Sequence, residues 1–127
     1  MVRTLIAEDD SDIRATVRFL LEGADYQVDE AVDGAAALSA LCAMSGPCVA
    51  LIDLTMPRMS GIEVFRALTD QPEVTARQRY ILLTARQTGL STRDEQTLAA
   101  LKVQIVYKPF DIDDLLAHVQ RMAQALA

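Results

Sequence analysis

Short apolar runs alternate along this chain with segments whose apolar residues recur every three or four positions. One run, Cys48 to Asp53, ends on an aspartate. Met56-Pro57 then stops it, because proline lacks an N–H and pushes the preceding residue out of the helical region. The runs predict buried strands at residues 3–8, 28–32, 48–53, 80–84 and 105–108.

The segments between these runs place apolar residues on one face of a helix, and short polar residues cap their starts. The first predicted helix starts at Asp10 or Ser11 and ends at Gly23, and the second runs from Ala35 to Met44 after an Asp33-Gly34 turn. The third starts at the capping box Ser60–Glu63 and ends before Pro72. The fourth follows Gly89-Leu90-Ser91, and the fifth follows Asp111 and extends to Leu126. Strand and helix therefore alternate five times. This order predicts an α/β fold with a parallel sheet covered by helices on both faces.

Composition and charge narrow the class of protein. The chain has 127 residues, 51% of them apolar and 24% charged, which predicts one folded domain. Its formal net charge of −6 argues against non-specific binding to nucleic acid or to anionic membranes. No apolar run reaches the ~20 residues of a membrane span. Cys42 and Cys48 are interpreted as reduced core residues, so we expect a cytoplasmic protein.

Four of the five predicted strands deliver polar side chains to their C-terminal ends. These are Glu8-Asp9, Asp53, Thr84 and Lys108. Parallel strands end at one edge of the sheet, so we expect the side chains to meet there. Two carboxylates about 4 Å apart, at an effective dielectric near 20, repel by roughly 4 kcal/mol. A cation is therefore expected among the acids, and oxygen ligands without His or Cys favour Mg²⁺.

A magnesium ion bound at this edge leaves positions open for phosphate oxygens. Lys108 adds a positive charge and Thr84 adds a hydroxyl donor. Such a site suits phosphoryl transfer, which depends mainly on positioning and electrostatics. Asp53, at the end of its buried strand, is the natural nucleophile.

The same residues carry a resemblance to a known family. The chain resembles the receiver domain of two-component response regulators in Glu8-Asp9, in Asp53 with Met56-Pro57 and Gly61 behind it, in Thr84-Ala85, and in Lys108-Pro109-Phe110. The resemblance covers essentially the whole chain, so residues 1–127 are expected to form one receiver domain. It implies a flavodoxin-like (βα)5 fold with strand order 2-1-3-4-5.

The resemblance also implies a role for each matching residue near the metal. Asp9 and Asp53 would ligate Mg²⁺ together with the backbone carbonyl of Thr55. Glu8 would hold metal-bound water. Asp53 would take a phosphoryl group from a histidine kinase or a histidine phosphotransfer protein.

Other matching residues would contact the phosphoryl group. Thr84 would bond one phosphoryl oxygen, Lys108 would pair with another, and Ala85 would leave room beside them. The resemblance further implies a cis peptide between Lys108 and Pro109.

The chain departs from the family pattern near the fifth strand. Ile105 stands where the family usually has Tyr or Phe, so switching by rotation of an aromatic ring after Thr84 moves is in doubt. Tyr107 lies two residues on, on the same strand face, and we interpret it as a core tyrosine, with a part in switching as the alternative. The segment 89–104 lacks the small Gly-Ala step of the family, which leaves the fourth predicted helix displaced or mobile.

Three functions follow as hypotheses. The first is a signalling receiver that is not a multiple-turnover enzyme and acts on an unknown protein target, as a monomer or as a weak dimer through the fourth helix, the fifth strand and the fifth helix. The second is a receiver-shaped binding module that signals without phosphate. The third is a dehalogenase-type phosphatase, against which Thr55 stands where that family needs a second aspartate. Arg58 and Arg86 are interpreted as surface residues or as residues that tune phosphoryl lifetime.

Overall fold

The computed structural model describes residues 1–85 and 89–127. Its strands are β1 Arg3–Ala7, β2 Gln27–Ala31, β3 Cys48–Asp53, β4 Gln78–Ala85 and β5 Gln104–Lys108. Its helices are α1 Ser11–Gly23, α2 Gly34–Ala43, α3 Gly61–Leu68, α4 Pro72–Thr75, α5 Thr92–Ala100 and α6 Ile112–Leu126. All strand pairs are parallel, in the order 2-1-3-4-5, so the predicted fold class is confirmed.

The central strand β3 explains why the sheet needs helices on both faces. All six of its residues are buried, and their side chains alternate between the two faces. One face packs against α2, α3 and α5, and the other packs against α1 and α6. A strand buried on both faces reads in the sequence as a continuous apolar run, as the run before Asp53 does.

Helix starts follow the capping residues that the sequence indicates. Asp10 accepts hydrogen bonds from two backbone N–H groups of α1, and Asp111 does the same for α6. Ser60 forms the predicted capping box with Glu63 at the start of α3. The fourth predicted helix corresponds to α5, and it too has a capping box, between Ser91 and Asp94.

Besides shifts of one or two residues at the strand ends, four details differ from the sequence prediction. Asp33 caps α2 by accepting a hydrogen bond from the Ala36 N–H, so the helix starts at Gly34. The predicted Asp33-Gly34 turn therefore forms the N-cap and the first residue of this helix. A further helical turn, α4, follows at Pro72, because proline suits the first position of a helix. Cys42 is a free thiol as predicted but is exposed, since Leu41 faces the core. Tyr107 is 40% exposed and is not a core residue.

The loop after β3 is fixed by close backbone packing. A Cβ atom at Gly61 would lie 2.6 Å from the carbonyl oxygen of Asp53, and one at Gly34 would lie 2.1 Å from the carbonyl oxygen of Met59. The Gly61 N–H also donates to the Leu54 carbonyl oxygen at 2.8 Å. Only glycine allows these approaches, so both positions hold the chain that follows Asp53. Within the described residues, none of the helices is long and apolar enough to cross a membrane.

The close approach at Gly61 leads to a prediction about stability. Gly61→Ala should lower the free energy of unfolding by about 1–3 kcal/mol, because the added methyl group forces the Asp53 carbonyl to move. Urea denaturation measures the change. The control is Gly23→Ala, where a Cβ meets nothing within 4 Å and stability should rise by at most about 1 kcal/mol. Equal effects of the two substitutions would contradict this packing argument.

Candidate functional site

The carboxyl ends of β1, β3 and β5 bring three charged side chains into contact. Lys108 Nζ lies 2.8 Å from Glu8 Oε1 and 2.9 Å from Asp53 Oδ1. Glu8 is 1% exposed and Asp53 is 5% exposed, so the ion pairs are largely shielded from water. Charge-assisted hydrogen bonds of this kind are stronger than neutral ones. Residues 100 positions apart therefore meet at one edge of the sheet, as the strand pattern predicts.

A third carboxylate completes an acidic cluster at the same edge. One oxygen from each of Glu8, Asp9 and Asp53 lies within 4.8 Å of the others. Asp9 is exposed while the other two are buried, so the cluster is open to solvent on one side. Three hard oxygen donors and an open side fit Mg²⁺, which keeps several of its waters. Asp9 and Asp53 are the side chains expected to ligate the ion, and Glu8 is the one expected to hold metal-bound water.

Burial and charge set the protonation of Glu8. Burial raises the pKa of its carboxyl from 4.5 to about 7, and the negative charge of Asp53 adds to the increase. The hydrogen bond with Lys108 acts in the opposite direction without cancelling it. Near neutral pH, Glu8 is therefore divided between its charged and protonated forms.

Lys108 stays charged across the same range. Burial lowers the pKa of its ammonium, but the hydrogen bonds to Glu8 and Asp53 outweigh burial and hold that pKa above its ordinary value. The ammonium is thus a fixed positive charge beside the Asp53 carboxylate. It balances part of the acidic cluster before any metal binds.

Two threonines of the predicted site lie near this edge. Thr84 is 3% exposed and follows Leu83, which pairs with Asp53 in the sheet. Its Oγ1 donates to the Ala85 carbonyl oxygen over a long 3.4 Å, so the hydroxyl is only weakly held in its present direction. Thr55 is exposed, two residues beyond Asp53. The roles of these threonines stay predictions.

Arg58 lies on the loop beyond Asp53 and contacts the start of α2. Its Nε donates to Asp33 Oδ2 at 2.8 Å, and its backbone φ is 68°. Hydrogen bonds from the Ala36 N–H and then from Arg58 hold the pKa of Asp33 below its ordinary value. Arg58 therefore ties the loop to α2, while the interpretation of Arg86 lies outside the described residues.

Arg14 was not predicted from the sequence; its guanidinium donates to the Glu8 carbonyl oxygen at 2.8 Å. An arginine on the first turn of the helix that follows the acidic pair is the signal that was available. The cis peptide between Lys108 and Pro109 is present as the resemblance implies. Ile105 packs partly buried on the side of α2, α3 and α5, while the Tyr107 side chain is exposed.

The raised pKa of Glu8 leads to a prediction for metal-free protein. Between about pH 4.5 and 7 the unfolded chain releases the Glu8 proton while the folded chain holds it, so stability falls as pH rises. Relative to Glu8→Gln, the wild type should lose on the order of 2 kcal/mol across this window. Urea denaturation in a chelator at several pH values measures the difference.

The control for this experiment is Glu95→Gln, which removes one exposed charge from α5. Its stability should follow the pH dependence of the wild type. A difference between wild type and Glu8→Gln that stays constant over the window would contradict the assignment of the proton to Glu8.

Comparison with known proteins identifies the family. The model of the response regulator receiver domain matches residues 4–120. Response regulator MprA of Mycobacterium sp. (strain KMS) is 33% identical over 121 residues, which cover 95% of this chain and 50% of that protein. The DNA-binding dual master transcriptional regulator RpaA of Synechocystis sp. is 34% identical over 122 residues, covering 96% of this chain and 49% of that protein.

The chain spans about half the length of the curated relatives it matches. Among solved structures, a CheY-like response regulator receiver domain protein from Methanospirillum hungatei superposes with a TM-score of 0.78 and 26% identity. That match covers 92% of this chain and 90% of the other. The sheet order, the acidic edge and the family match agree, and the chain belongs to the response regulator receiver domain family.

Proposed function

We propose that the chain is a phosphoacceptor receiver in which Asp53 takes a phosphoryl group from a histidine kinase or a histidine phosphotransfer protein. The observation that carries the proposal is the contact of Lys108 with Asp53 and Glu8 beside an open acidic cluster. Family membership supports a role in two-component signalling. Residues 1–127 would act as one receiver domain.

The transfer forms one bond and breaks one. An oxygen of the Asp53 carboxylate attacks the phosphorus of a phosphohistidine and forms a P–O bond. The P–N bond breaks, its electron pair stays on the imidazole nitrogen, and that nitrogen takes up a proton from solvent. The product is an acyl phosphate on Asp53.

The residues of the cluster fit Mg²⁺ as the cofactor. Asp9 and Asp53 would hold it with their side chains and Thr55 with its backbone carbonyl, while Glu8 would hold a water bound to it. When bound, the ion supplies positive charge to the oxygens of the incoming phosphoryl group.

Lys108 and Thr84 would act on the phosphoryl oxygens. The ammonium already touches the accepting carboxylate, so it is in place to neutralise the charge that builds up during transfer. The buried hydroxyl of Thr84 has only a long bond to give up before it donates to a phosphoryl oxygen. Because the acyl phosphate forms on the protein itself, the domain changes its own state and does not turn over external substrates.

Phosphorylation would change which partner the domain binds, by shifting the balance between two surface conformations. A downstream protein is the expected partner, with no nucleic acid or membrane contact by this chain, as a monomer or a weak dimer through α5, β5 and α6. Within the described residues both cysteines are free thiols, which supports a place in the reducing cytoplasm.

Phosphoryl incorporation is the direct test of this function. With acetyl phosphate or phosphoramidate and Mg²⁺, the wild type should gain the mass of one phosphoryl group, measured on the intact protein. Asp53→Asn should gain none, because the amide is not a nucleophile. Lys108→Gln should be modified much more slowly than the wild type, because the accepting carboxylate loses its adjacent positive charge.

Two controls match these variants. Asp29→Asn removes a carboxylate that Arg3 holds on β2, and it should be modified like the wild type. Lys102→Gln removes the other lysine, which is exposed, and should also behave as wild type. Equal mass gain in Asp53→Asn, or no gain in the wild type, would overturn the proposal.

Magnesium should also stabilise the folded chain, because only the folded chain brings the three carboxylates together. At a tenfold excess over Kd the gain is about 1.4 kcal/mol, measured as a rise in Tm. Asp9→Asn should lose most of this rise. Asp10→Asn should keep it, because asparagine caps a helix as well as aspartate does. A wild-type Tm that does not respond to millimolar Mg²⁺ would contradict the ligand assignment.

A further inference from the structure

Arg14 links α1, to which it belongs, with β2 and with the turn that follows β1. It lies in the first turns of α1, and its side chain is 19% exposed. Its Nη1 donates to the Glu8 carbonyl oxygen at 2.8 Å, and its Nε donates to Glu30 Oε1 at 2.9 Å. Glu30 belongs to β2 and pairs with Ile6 of β1 in the sheet. The guanidinium is therefore held on one side by a carboxylate and offers its other side to one backbone carbonyl.

The carbonyl that Arg14 contacts lies between two acidic residues of the cluster. It belongs to the peptide unit that joins Glu8 to Asp9, and that unit is planar. A hydrogen bond to its oxygen limits rotation of the plane, and so restricts the directions in which the two acidic side chains leave the backbone. The Glu8 N–H donates to the Ala31 carbonyl oxygen at 3.1 Å, which holds the same residue from its other end.

Glu30 also pairs with a second arginine of α1. Arg18 lies one helical turn further on, and it pairs with Glu30 and with Glu22. No contact of Arg18 with the acidic pair is found among the described residues. Arg14 and Arg18 thus share a helix, a charge and a partner, and they differ in the bond to the Glu8 carbonyl.

We propose that Arg14, oriented by Glu30, is a positioning residue for the cation site, because it fixes the peptide plane between Glu8 and Asp9. This inference rests on the proposed function, since it takes these acids as parts of a Mg²⁺ site. Arg14 touches neither the reacting atoms nor a carboxylate of the cluster in the described contacts. It acts through the backbone of the residues that do.

Electrostatics and positioning predict opposite effects of removing Arg14. Loss of a positive charge near the site should strengthen Mg²⁺ binding, because the ion meets less repulsion. Loss of the hydrogen bond frees the peptide plane and should weaken Mg²⁺ binding, as removal of groups that orient metal ligands does. The sign of the change therefore separates the two explanations.

The experiment measures Kd for Mg²⁺ by titration of the whole chain, followed by backbone amide shifts in NMR spectra. Arg14→Gln should raise Kd about tenfold, and Glu30→Gln should raise it less. The double variant Arg14→Gln/Glu30→Gln should match Arg14→Gln, because Glu30 acts through Arg14. The control Arg18→Gln should stay within about twofold of the wild type, although it loses its ion pairs with Glu30 and Glu22.

A second readout separates positioning from a general loss of structure. At saturating Mg²⁺, Arg14→Gln should incorporate phosphoryl groups at nearly the wild-type rate, because the ion restores the arrangement of its ligands. Arg14→Lys, which keeps the charge but cannot bond the carbonyl and Glu30 in the same geometry, should also raise Kd. Arg14→Lys tests the inference even where Arg14→Gln folds poorly, because it leaves the charge near the site unchanged.

The outcomes are distinguishable. A wild type that does not bind Mg²⁺ would overturn the proposed function itself. A wild type that binds, with Arg14→Gln binding equally well or more tightly, would overturn only the role of Arg14. An equal loss of affinity in Arg18→Gln would also overturn it, because that result would show an effect of helix charge or stability and not of the carbonyl bond.

Discussion

Lys108 Nζ lies within hydrogen-bond distance of two buried carboxylates, 2.8 Å from Glu8 and 2.9 Å from Asp53, and this contact governs the rest of the site. Without the ammonium, two carboxylates about 4 Å apart would repel by roughly 4 kcal/mol at an effective dielectric near 20. With it, the buried Asp53 carboxylate has an adjacent positive charge that offsets this repulsion. Asp9 remains exposed beside the pair, so one side of the cluster is open to an ion.

The fold serves this contact through its strand order and its loops. The order 2-1-3-4-5 puts β1 beside β3, so Glu8 and Asp53 leave neighbouring strands at the same edge. Close approaches at Gly34 and Gly61 hold the loop after β3 against the start of α2 and against the Asp53 backbone. On the other side, Arg14 and Glu30 hold the turn after β1. The charged groups are thus fixed by backbone contacts on both sides.

The residue pattern predicted those features of the fold and the site that depend on neighbouring residues in the sequence. The apolar run before Asp53, the capping box at Ser60 and the polar strand ends each have a signal in the nearby sequence, and family resemblance supplied the strand order. The prediction of Tyr107 as a core residue was wrong, because alternation along a strand does not show which face an edge strand leaves open to solvent. The core placement of Cys42 was wrong for a related reason, since a helix as apolar as α2 does not mark its inward face clearly. Arg14 depends on a long side chain that reaches back to a carbonyl, and spacing alone does not predict that contact.

We propose above all that the assembled edge directs a phosphoryl group to the Asp53 carboxylate. The most direct measurement is reduction of the phosphorylated protein with borohydride, which converts an aspartyl phosphate to homoserine, followed by peptide mapping. If Asp53 is the phosphorylated residue, we expect homoserine at position 53 and unmodified aspartate at position 9. Homoserine at position 9, or spread over several acidic positions, would contradict it.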